Sequence, residues 1–447
     1  MKSGVNEPPL LEFNPKLPKL SKNEKSVLKL LVEAGRLIAP LYLEQENQVV
    51  KGISKEDVSK AAKKNSELLS PYTFIERVNG NIVAVPYHIK YEKFLKPIAD
   101  KLNEASKISE NKEFSKFLKL QAKALLEGSY EEVTATGLKM KPYILDISIG
   151  PVAHFDEQLF VAKASYQCWV GVIYEEGTKR LNVYKDVALS TQRKALVPGA
   201  RVENQHNVKV KVDYVLLFSG FIARTRFIGV NLPMNLELVE KYGSEVTLFE
   251  NVNDLRMQEQ MLPTFNKIFS PAFRQGFSEE DLRRASLRYV GLHEIAHNYL
   301  YYKNAFTNLQ DLLPPLYELS ATVLGMRIAG SLLVKDIITN KQLESMIVAF
   351  ICRSYYLIEK TEKSRKSNYM VNYALQGAIF INFMLKNGAL KQAKGLAIPN
   401  FMKIFVSLHD LSYTLEHLLA SGTRKEAEDF IKKYGRTTNI TQPSPLN

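Results

Sequence analysis

The sequence is poor in cysteine and has no long apolar run. Only Cys168 and Cys352 occur among 447 residues, which excludes a disulfide framework and a thiolate zinc cluster and is typical of a reducing compartment. No uninterrupted apolar run reaches the roughly 18 residues that a membrane span requires, and the N-terminus lacks a signal-peptide core. We therefore expect a cytoplasmic protein that does not enter a membrane, although a secreted protein whose signal had been removed would look the same.

Signatures of serine hydrolases, of nucleotide hydrolases and of nucleic-acid binding are also missing. The sequence contains no G-x-S-x-G elbow, no phosphate-binding loop, no RNA-recognition signature and no zinc-finger spacing. The formal charge of +13 is carried mainly by lysines spread along the whole chain, a pattern typical of a solvated surface. Nucleic-acid binding driven by this charge is an alternative, but we expect no nucleic-acid partner.

The pattern of apolar residues changes twice along the chain. Ser21 with Glu24 predicts the start of a first helix, a second is expected near Ser54, and amphipathic helical patterns fill residues 91–126. Between about residues 142 and 230 the pattern favours strands, in the runs YILDISIG, CWVGVIY, RLNVYKDVAL, VKVKVDYVLLF and RFIGVNL. After Pro233 the pattern is helical again until about Tyr434.

These changes predict an α+β fold with two lobes. Residues 1–235 would form an N-terminal lobe, helical and then β-rich, with its sheet at about 142–230. Residues 236–447 would form a predominantly α-helical lobe.

The most informative segment is LRYVGLHEIAHNYL, which contains H-E-x-x-H at His293, Glu294 and His297. On a helix, two histidines four residues apart project from one face at a separation that suits two ligands of a single zinc ion. Glu294 lies beside them and is the expected general base. Two ordinary core histidines on an amphipathic helix are the alternative.

A third ligand is available at Glu318, in the segment PPLYELSATVLGMRIAG, where two prolines precede a second helical pattern. Three protein ligands leave the fourth position of a tetrahedral zinc open, as a catalytic site requires. An ordinary acidic residue near a helix start is the alternative.

These parts together predict zinc-assisted hydrolysis of a peptide or amide bond, with one Zn²⁺ ion bound and Glu294 as the proton acceptor. Imidazole and carboxylate ligands also accept other divalent metals. A donor to the developing oxyanion is still needed, and nearby tyrosines are candidates by residue type: Tyr299, Tyr301, Tyr302, Tyr317 and Tyr373.

At a larger scale the chain resembles the dipeptidyl peptidase III family of zinc metallopeptidases. The resemblance is closest to a shorter branch that has H-E-x-x-H and also occurs as the C-terminal part of certain plant Nudix proteins. It runs from about Ser21 to Tyr434 and is carried by LSKNEKSVLKLLVEAGRLI, DISIGPVAHFDEQLFVAKASYQCWVGV, IGVNLPMN, GLHEIAHNY, YELSATVLG and ALQGAIFINFMLKNGAL. The resemblance implies a helical zinc lobe that faces a β-containing lobe across a cleft, and short peptides as substrates.

The resemblance also implies roles for individual residues. His293, His297 and Glu318 match the zinc ligands, and Glu294 matches the general base. Asn231 matches an asparagine that binds the substrate backbone.

Other positions depart from the family. Ala153 and Phe155 stand where a glutamate and a tyrosine are typical, and Met234 replaces a second asparagine. Thr322 replaces an acid that would orient a zinc histidine, and Tyr373 replaces a histidine fifteen residues before Gly388. We treat Tyr373 as a candidate catalytic hydroxyl. These departures leave the substrate and the cleavage direction open, and they make a non-catalytic zinc-binding protein of the same fold the second hypothesis.

Overall fold

The computed structural model describes residues 7–47, 53–153, 163–192, 196–197, 200, 207–300, 302–363, 368–437 and 440. Contacts within the chain divide it into two compact units. Unit 1 consists of Met1–Glu175, Val212–Phe227 and Leu232–Glu245, and unit 2 consists of Glu176–Lys211, Ile228–Asn231 and Val246–Asn447. The sequence predicted a single boundary between residues 235 and 236, whereas this division alternates along the chain.

Unit 1 combines helices with strands. Its helices are α1 (Lys22–Arg36), α2 (Ile38–Asn47), α3 (Lys55–Ala62), α4 (Tyr87–Lys90), α5 (Glu92–Ile108), α6 (Lys112–Glu127), α7 (Glu131–Lys139), α9 (Phe221–Thr225) and α10 (Leu236–Tyr242). Its strands are β1 (Leu10–Glu12), β2 (Thr73–Val78), β3 (Asn81–Pro86), β4 (Leu145–Ala153), β5 (Ser165–Ile173) and most of β6 (Val208–Gly220). Strands β4, β5 and β6 are antiparallel neighbours, and β1 pairs with β6.

The core of unit 1 lies between its helices and this sheet. Ser21 and Ser54 form the capping boxes of α1 and α3, so the two helix starts predicted from sequence are confirmed. Helix α1 lies directly on the sheet at Gly35, where an added Cβ would be 2.4 Å from Cδ2 of Leu217 and 3.1 Å from Sγ of Cys168. A larger residue here would have to displace the buried side chain of Leu217, so glycine favours this approach of the helix backbone to β5 and β6.

The hairpin of β2 with β3 was not predicted from the sequence. Strands β2 and β3 pair around Asn79 and Gly80, whose φ angles of 49° and 83° are both positive. Positive φ at both central residues is the hallmark of a type I′ turn, for which Asn-Gly is the preferred pair. The dipeptide was therefore a usable signal that was overlooked.

Unit 2 is mainly helical. Its helices are α8 (Glu175–Gln192), α11 (Val252–Arg256), α12 (Leu262–Ile268), α13 (Pro271–Arg274), α14 (Glu279–His297), α15 (Lys303–Leu309), α16 (Leu313–Val334), α17 (Asn340–Lys363), α18 (Asn368–Lys386), α19 (Phe401–Ala420) and α20 (Arg424–Tyr434). Its strands are the neighbours β7 (Gly229–Leu232) and β8 (Ser244–Phe249), and the hairpin of β9 (Leu390–Ala393) with β10 (Leu396–Pro399).

One predicted strand is wrong. The run RLNVYKDVAL, read as part of the β-rich region, lies in helix α8. Its buried residues Leu181, Val187, Ala188 and Thr191 recur at helical spacing, while Val183 is exposed. Valine and tyrosine favour strands only weakly, and here the period of burial decided the structure.

The α+β class predicted from the sequence is confirmed. Four long helices form the centre of unit 2: α14 packs against α16 and α17, and α18 packs against both of these. Among the described residues, every helix is too short or too polar to span a lipid bilayer.

Candidate metal centre

Helix α14 carries the H-E-x-x-H motif in its last turns. The helix begins at a capping box of Ser278 and Asp281. Acidic residues in its first turn interact favourably with the positive end of the helix dipole. The helix ends at His297, with Asn298 as its C-cap. His293 and His297 are four residues apart and therefore lie on one face of this helix.

Helix α16 supplies Glu318. It begins at Leu313 with prolines in its first turn, where the missing amide protons cost nothing. Most of its length is apolar and buried, which is typical of a helix surrounded by protein on all sides. Glu318 is a carboxylate on an otherwise core helix, and its side chain is only 17% exposed.

A glycine lets the two helices approach. A Cβ added at Gly325 would lie 3.1 Å from the carbonyl carbon of Leu292 and 3.2 Å from the backbone nitrogen of His293. These neighbours are backbone atoms, which cannot rotate away. The absence of a side chain at Gly325 thus allows α16 to lie directly against the motif on α14.

Three ligand-type atoms converge where the helices meet. Nε2 of His293 and Nε2 of His297 are 3.1 Å apart. Oε2 of Glu318 lies 3.2 Å from the first and 3.6 Å from the second. Two atoms bound tetrahedrally to one zinc, with bonds of about 2.0–2.1 Å, would be roughly 3.3 Å apart. The three atoms therefore have the spacing of three corners of a zinc tetrahedron.

The Glu318 carboxylate also fits a metal on hydrogen-bonding grounds. Its Oε2 is shielded from solvent and makes no hydrogen bond among the described residues. A buried charged oxygen without such a partner is costly unless it binds a cation. Among the described residues, His293, His297 and Glu318 are the group of side chains that can hold a metal ion.

The groups of the site perturb one another. Burial alone would raise the pKa of Glu318, but the adjacent imidazoles of His297 and His293 outweigh this and lower it below its usual range. Burial alone would lower the pKa of His297, and the Glu318 carboxylate outweighs this and raises it. Burial raises the pKa of Glu294. The site thus combines a carboxylate kept ionised with a second, more basic carboxylate beside it.

The ring nitrogen of His293 that does not face the other two candidate ligands contacts a neutral oxygen. Its Nδ1 lies 2.9 Å from Oγ1 of Thr322, one turn beyond Glu318 on α16. The same Oγ1 accepts a hydrogen bond of 2.6 Å from Nε2 of Gln376 on α18. Sequence reasoning identified Thr322 only as a departure from the family pattern, and it missed Gln376.

Tyr317 supports the other histidine. Its hydroxyl donates to the carbonyl oxygen of His297 at 3.0 Å, and the two rings pack with centroids 5.0 Å apart. This hydroxyl was a candidate oxyanion donor, but it is used to hold the end of α14.

Strand β7 lies against the motif and carries Asn231. A Cβ added at Gly229 would be 3.1 Å from Cγ of Glu294 and 2.8 Å from Cγ1 of Val290. Two residues further, Oδ1 of Asn231 is buried without a hydrogen-bond partner among the described residues. An acceptor in this state is available to a backbone N–H of a ligand.

For the remaining candidate residues that lie within the described part of the chain, the structure gives the burial. Tyr373 is half-buried on α18, one turn before Gln376, and Met234 is also half-buried. Tyr299 and Tyr302 are buried. Tyr301, Phe155 and the side chain of Ala153 lie outside the described residues. The role suggested for Tyr373 remains a prediction.

The close approach at Gly325 leads to a prediction. We expect Gly325→Ala to push α16 away from α14, destabilising the protein by about 1–3 kcal/mol and weakening metal binding. Gly330→Ala on the same helix is the matched control, because a Cβ there meets nothing within 4 Å and alanine favours a helix by about 0.8–1.0 kcal/mol. Thermal unfolding with and without zinc distinguishes the two. Equal unfolding temperatures for both variants would contradict the role given to Gly325.

At the level of sequence, the chain is similar to part of a longer plant protein. The sequence matches no protein-family model. Nudix hydrolase 3 from Arabidopsis thaliana is 21% identical over 365 residues, which cover 80% of this chain and 46% of that protein. The chain therefore spans about half the length of this curated relative.

Two solved structures share the fold over nearly the whole chain. Dipeptidyl-peptidase III from Caldithrix abyssi matches with a TM-score of 0.80 and 17% identity, covering 93% of this chain and 91% of that one. Dipeptidyl-peptidase III from Corallococcus sp. strain EGB matches with a TM-score of 0.80 and 18% identity, covering 98% and 94%. The fold is thus that of dipeptidyl-peptidase III, and the resemblance noted in the sequence is confirmed at this level.

Proposed function

We propose that the protein is a zinc-dependent metallopeptidase that hydrolyses peptide bonds of short peptides. One observation carries the proposal: the two Nε2 atoms of His293 and His297 and Oε2 of Glu318 lie at the spacing of zinc ligands. Glu294 lies on the same helix between the two histidines. The fold shared with dipeptidyl-peptidase III is consistent with this chemistry.

A zinc ion held by the three ligands would supply Lewis acidity to the scissile carbonyl and to a water molecule. The Glu294 carboxylate accepts a proton from the attacking water as the new C–O bond forms. It then delivers that proton to the nitrogen of the leaving amine as the C–N bond breaks.

Asn231 is the proposed contact for the substrate backbone. Its buried Oδ1 makes no hydrogen bond among the described residues and can accept one from a peptide N–H. Tyr373 is the proposed second catalytic group, with its hydroxyl donating to the oxyanion. The assignment of Asn231 follows from the family resemblance, whereas that of Tyr373 rests on its residue type at a position where the family has a histidine.

Metal removal tests the proposal directly. We expect the purified protein to contain one zinc ion and to hydrolyse members of a mixed short-peptide library, read by mass spectrometry. Dialysis against a chelator should abolish hydrolysis, and adding back zinc alone should restore it. Bound zinc with no cleavage of any peptide in the library would contradict the peptidase assignment.

That last outcome would favour the second candidate, a non-catalytic zinc-binding protein that acts as a binding or regulatory module. The departures at Ala153, Phe155 and Tyr373 favour it, because the family's substrate anchor and oxyanion donor are replaced there. Retention of Glu294 favours the enzyme, since a structural site needs no base and normally fills its fourth coordination position.

A further inference from the structure

Gln376 is a buried polar residue that the proposed mechanism does not use. Its side chain is only 3% exposed, and the other buried side chains between residues 374 and 381 of α18 are apolar. An amide in such a place is costly unless its hydrogen bonds are made. Its Nε2 makes two of them, to the carbonyl oxygen of Glu318 at 3.0 Å and to Oγ1 of Thr322 at 2.6 Å.

The backbone that carries Gln376 is held firmly. At the next residue, Gly377, an added Cβ would lie 2.9 Å from Cβ and 3.0 Å from Cα of Ser354 on α17. Helix α18 therefore contacts α17 as closely as a glycine allows. This contact leaves little freedom for Gln376 to move away from α16.

The contact between Thr322 and His293 needs a fixed oxygen. A hydroxyl has two acceptor sites and one proton to donate. Gln376 fills one acceptor site of Oγ1, and the other is open to a proton on Nδ1 of His293. A histidine that binds a metal through Nε2 carries its proton on Nδ1, so its ring is oriented by whatever accepts that proton.

We propose that Gln376 is a positioning residue of the metal centre. Through Thr322 it holds the His293 ring so that Nε2 points at His297 and Glu318. Through the carbonyl oxygen of Glu318 it also holds the backbone of the third ligand. A threonine hydroxyl anchored by a buried amide thus performs the orientation that a carboxylate could provide. This inference rests on the metal-binding half of the proposed function.

The test compares zinc affinities, measured by competition with a chromophoric chelator. Leucine at position 376 has nearly the volume of glutamine but no donor. We expect Gln376→Leu to weaken zinc binding by about 10- to 100-fold, as losing an orienting group does. If that variant does not fold, Gln376→Met takes its place, because it keeps the length of the side chain and also removes both donors.

Gln121→Leu is the matched control. Gln121 is also a buried glutamine, and its Nε2 donates to the carbonyl oxygen of Ile149 at 2.8 Å, within unit 1. Both variants should lower the unfolding temperature of the metal-free protein, because each removes a hydrogen bond donated to a buried carbonyl oxygen. Only Gln376→Leu should lower the zinc affinity. An equal loss in Gln121→Leu would overturn the positioning role.

A double-mutant cycle tests whether the effect passes through Thr322. Thr322→Val removes the hydroxyl, and we expect it to weaken zinc binding to a similar degree. Thr322→Ser, which keeps the hydroxyl, should bind zinc nearly as the wild type does. If both residues act on His293 together, the zinc affinity of the combined Gln376→Leu and Thr322→Val variant should be little lower than that of the single variant with the lower affinity.

The outcomes separate the two proposals. A wild-type protein that binds no zinc would overturn the proposed function together with this inference. Tight binding by the wild type with unchanged affinity in Gln376→Leu would overturn the positioning role alone. Fully additive losses in the cycle would overturn the route through Thr322.

Discussion

Glu294→Gln is expected to lower the rate of peptide hydrolysis by about 100- to 10,000-fold, the range found for losing a positioned proton acceptor. Glutamine keeps the size and the polarity of the side chain but cannot accept a proton from water. His293, His297 and Glu318 are untouched, so zinc content should stay at one ion per chain. The measurement is the initial rate on the peptide that the wild type cleaves fastest, with metal content determined on the same samples.

Glu280→Gln provides the matched control for this prediction. Glu280 lies in the first turn of the same helix, is exposed, and pairs with Arg284 at the surface. Surface pairs of this kind contribute about 0–1 kcal/mol, so this variant should keep both its zinc and its rate. Hydrolysis by Glu294→Gln at the wild-type rate would remove Glu294 from the mechanism.

The motif on α14 was predictable because its geometry is local. Residues four apart on a helix share a face whatever surrounds them, so His293 and His297 could be paired from the sequence alone. Glu318 lies on another helix, and only the open ligand position and the family resemblance pointed to it. The structure brings its carboxylate to the two imidazoles because Gly325 lets α16 approach α14.

Gln376 could not have been found in this way. It donates to Glu318 and Thr322 across 58 and 54 residues of sequence, and no spacing rule connects α16 with α18. The available signal was an amide among apolar residues, in ALQGAIFINF, and this segment contains two of them, Gln376 and Asn382. A buried amide must find a partner, but which partner it finds is decided by tertiary packing.

The fold itself was predictable where local signals agreed with burial. Ser21 and Ser54 combined a capping residue with helical spacing, and both helices begin there. In α8, residue types that favour strands conflicted with a helical period, and the choice based on residue type was wrong. The period of apolar residues shows which face of an element is buried. Burial contributes more to the free energy of folding than the intrinsic preference of single residues for a strand or a helix does.

His297→Ala is expected to weaken zinc binding by more than about a hundredfold. Structural zinc sites with four ligands bind with roughly 10–16 kcal/mol, which is about 3 kcal/mol for each ligand. Removing the imidazole also leaves Oε2 of Glu318 with one imidazole nitrogen near it instead of two. The measurement is the unfolding temperature with and without zinc, because a ligand that binds only the folded state raises it.

The matched control is His409→Ala, an exposed histidine on α19, which should show the same zinc-dependent rise as the wild type. His297→Ala should show almost none, and a full rise would exclude His297 as a ligand. Together with Glu294→Gln, this variant separates binding from catalysis. An enzyme loses turnover in both variants but the zinc response in only one, whereas a non-catalytic zinc protein loses the zinc response in His297→Ala and has no turnover to lose.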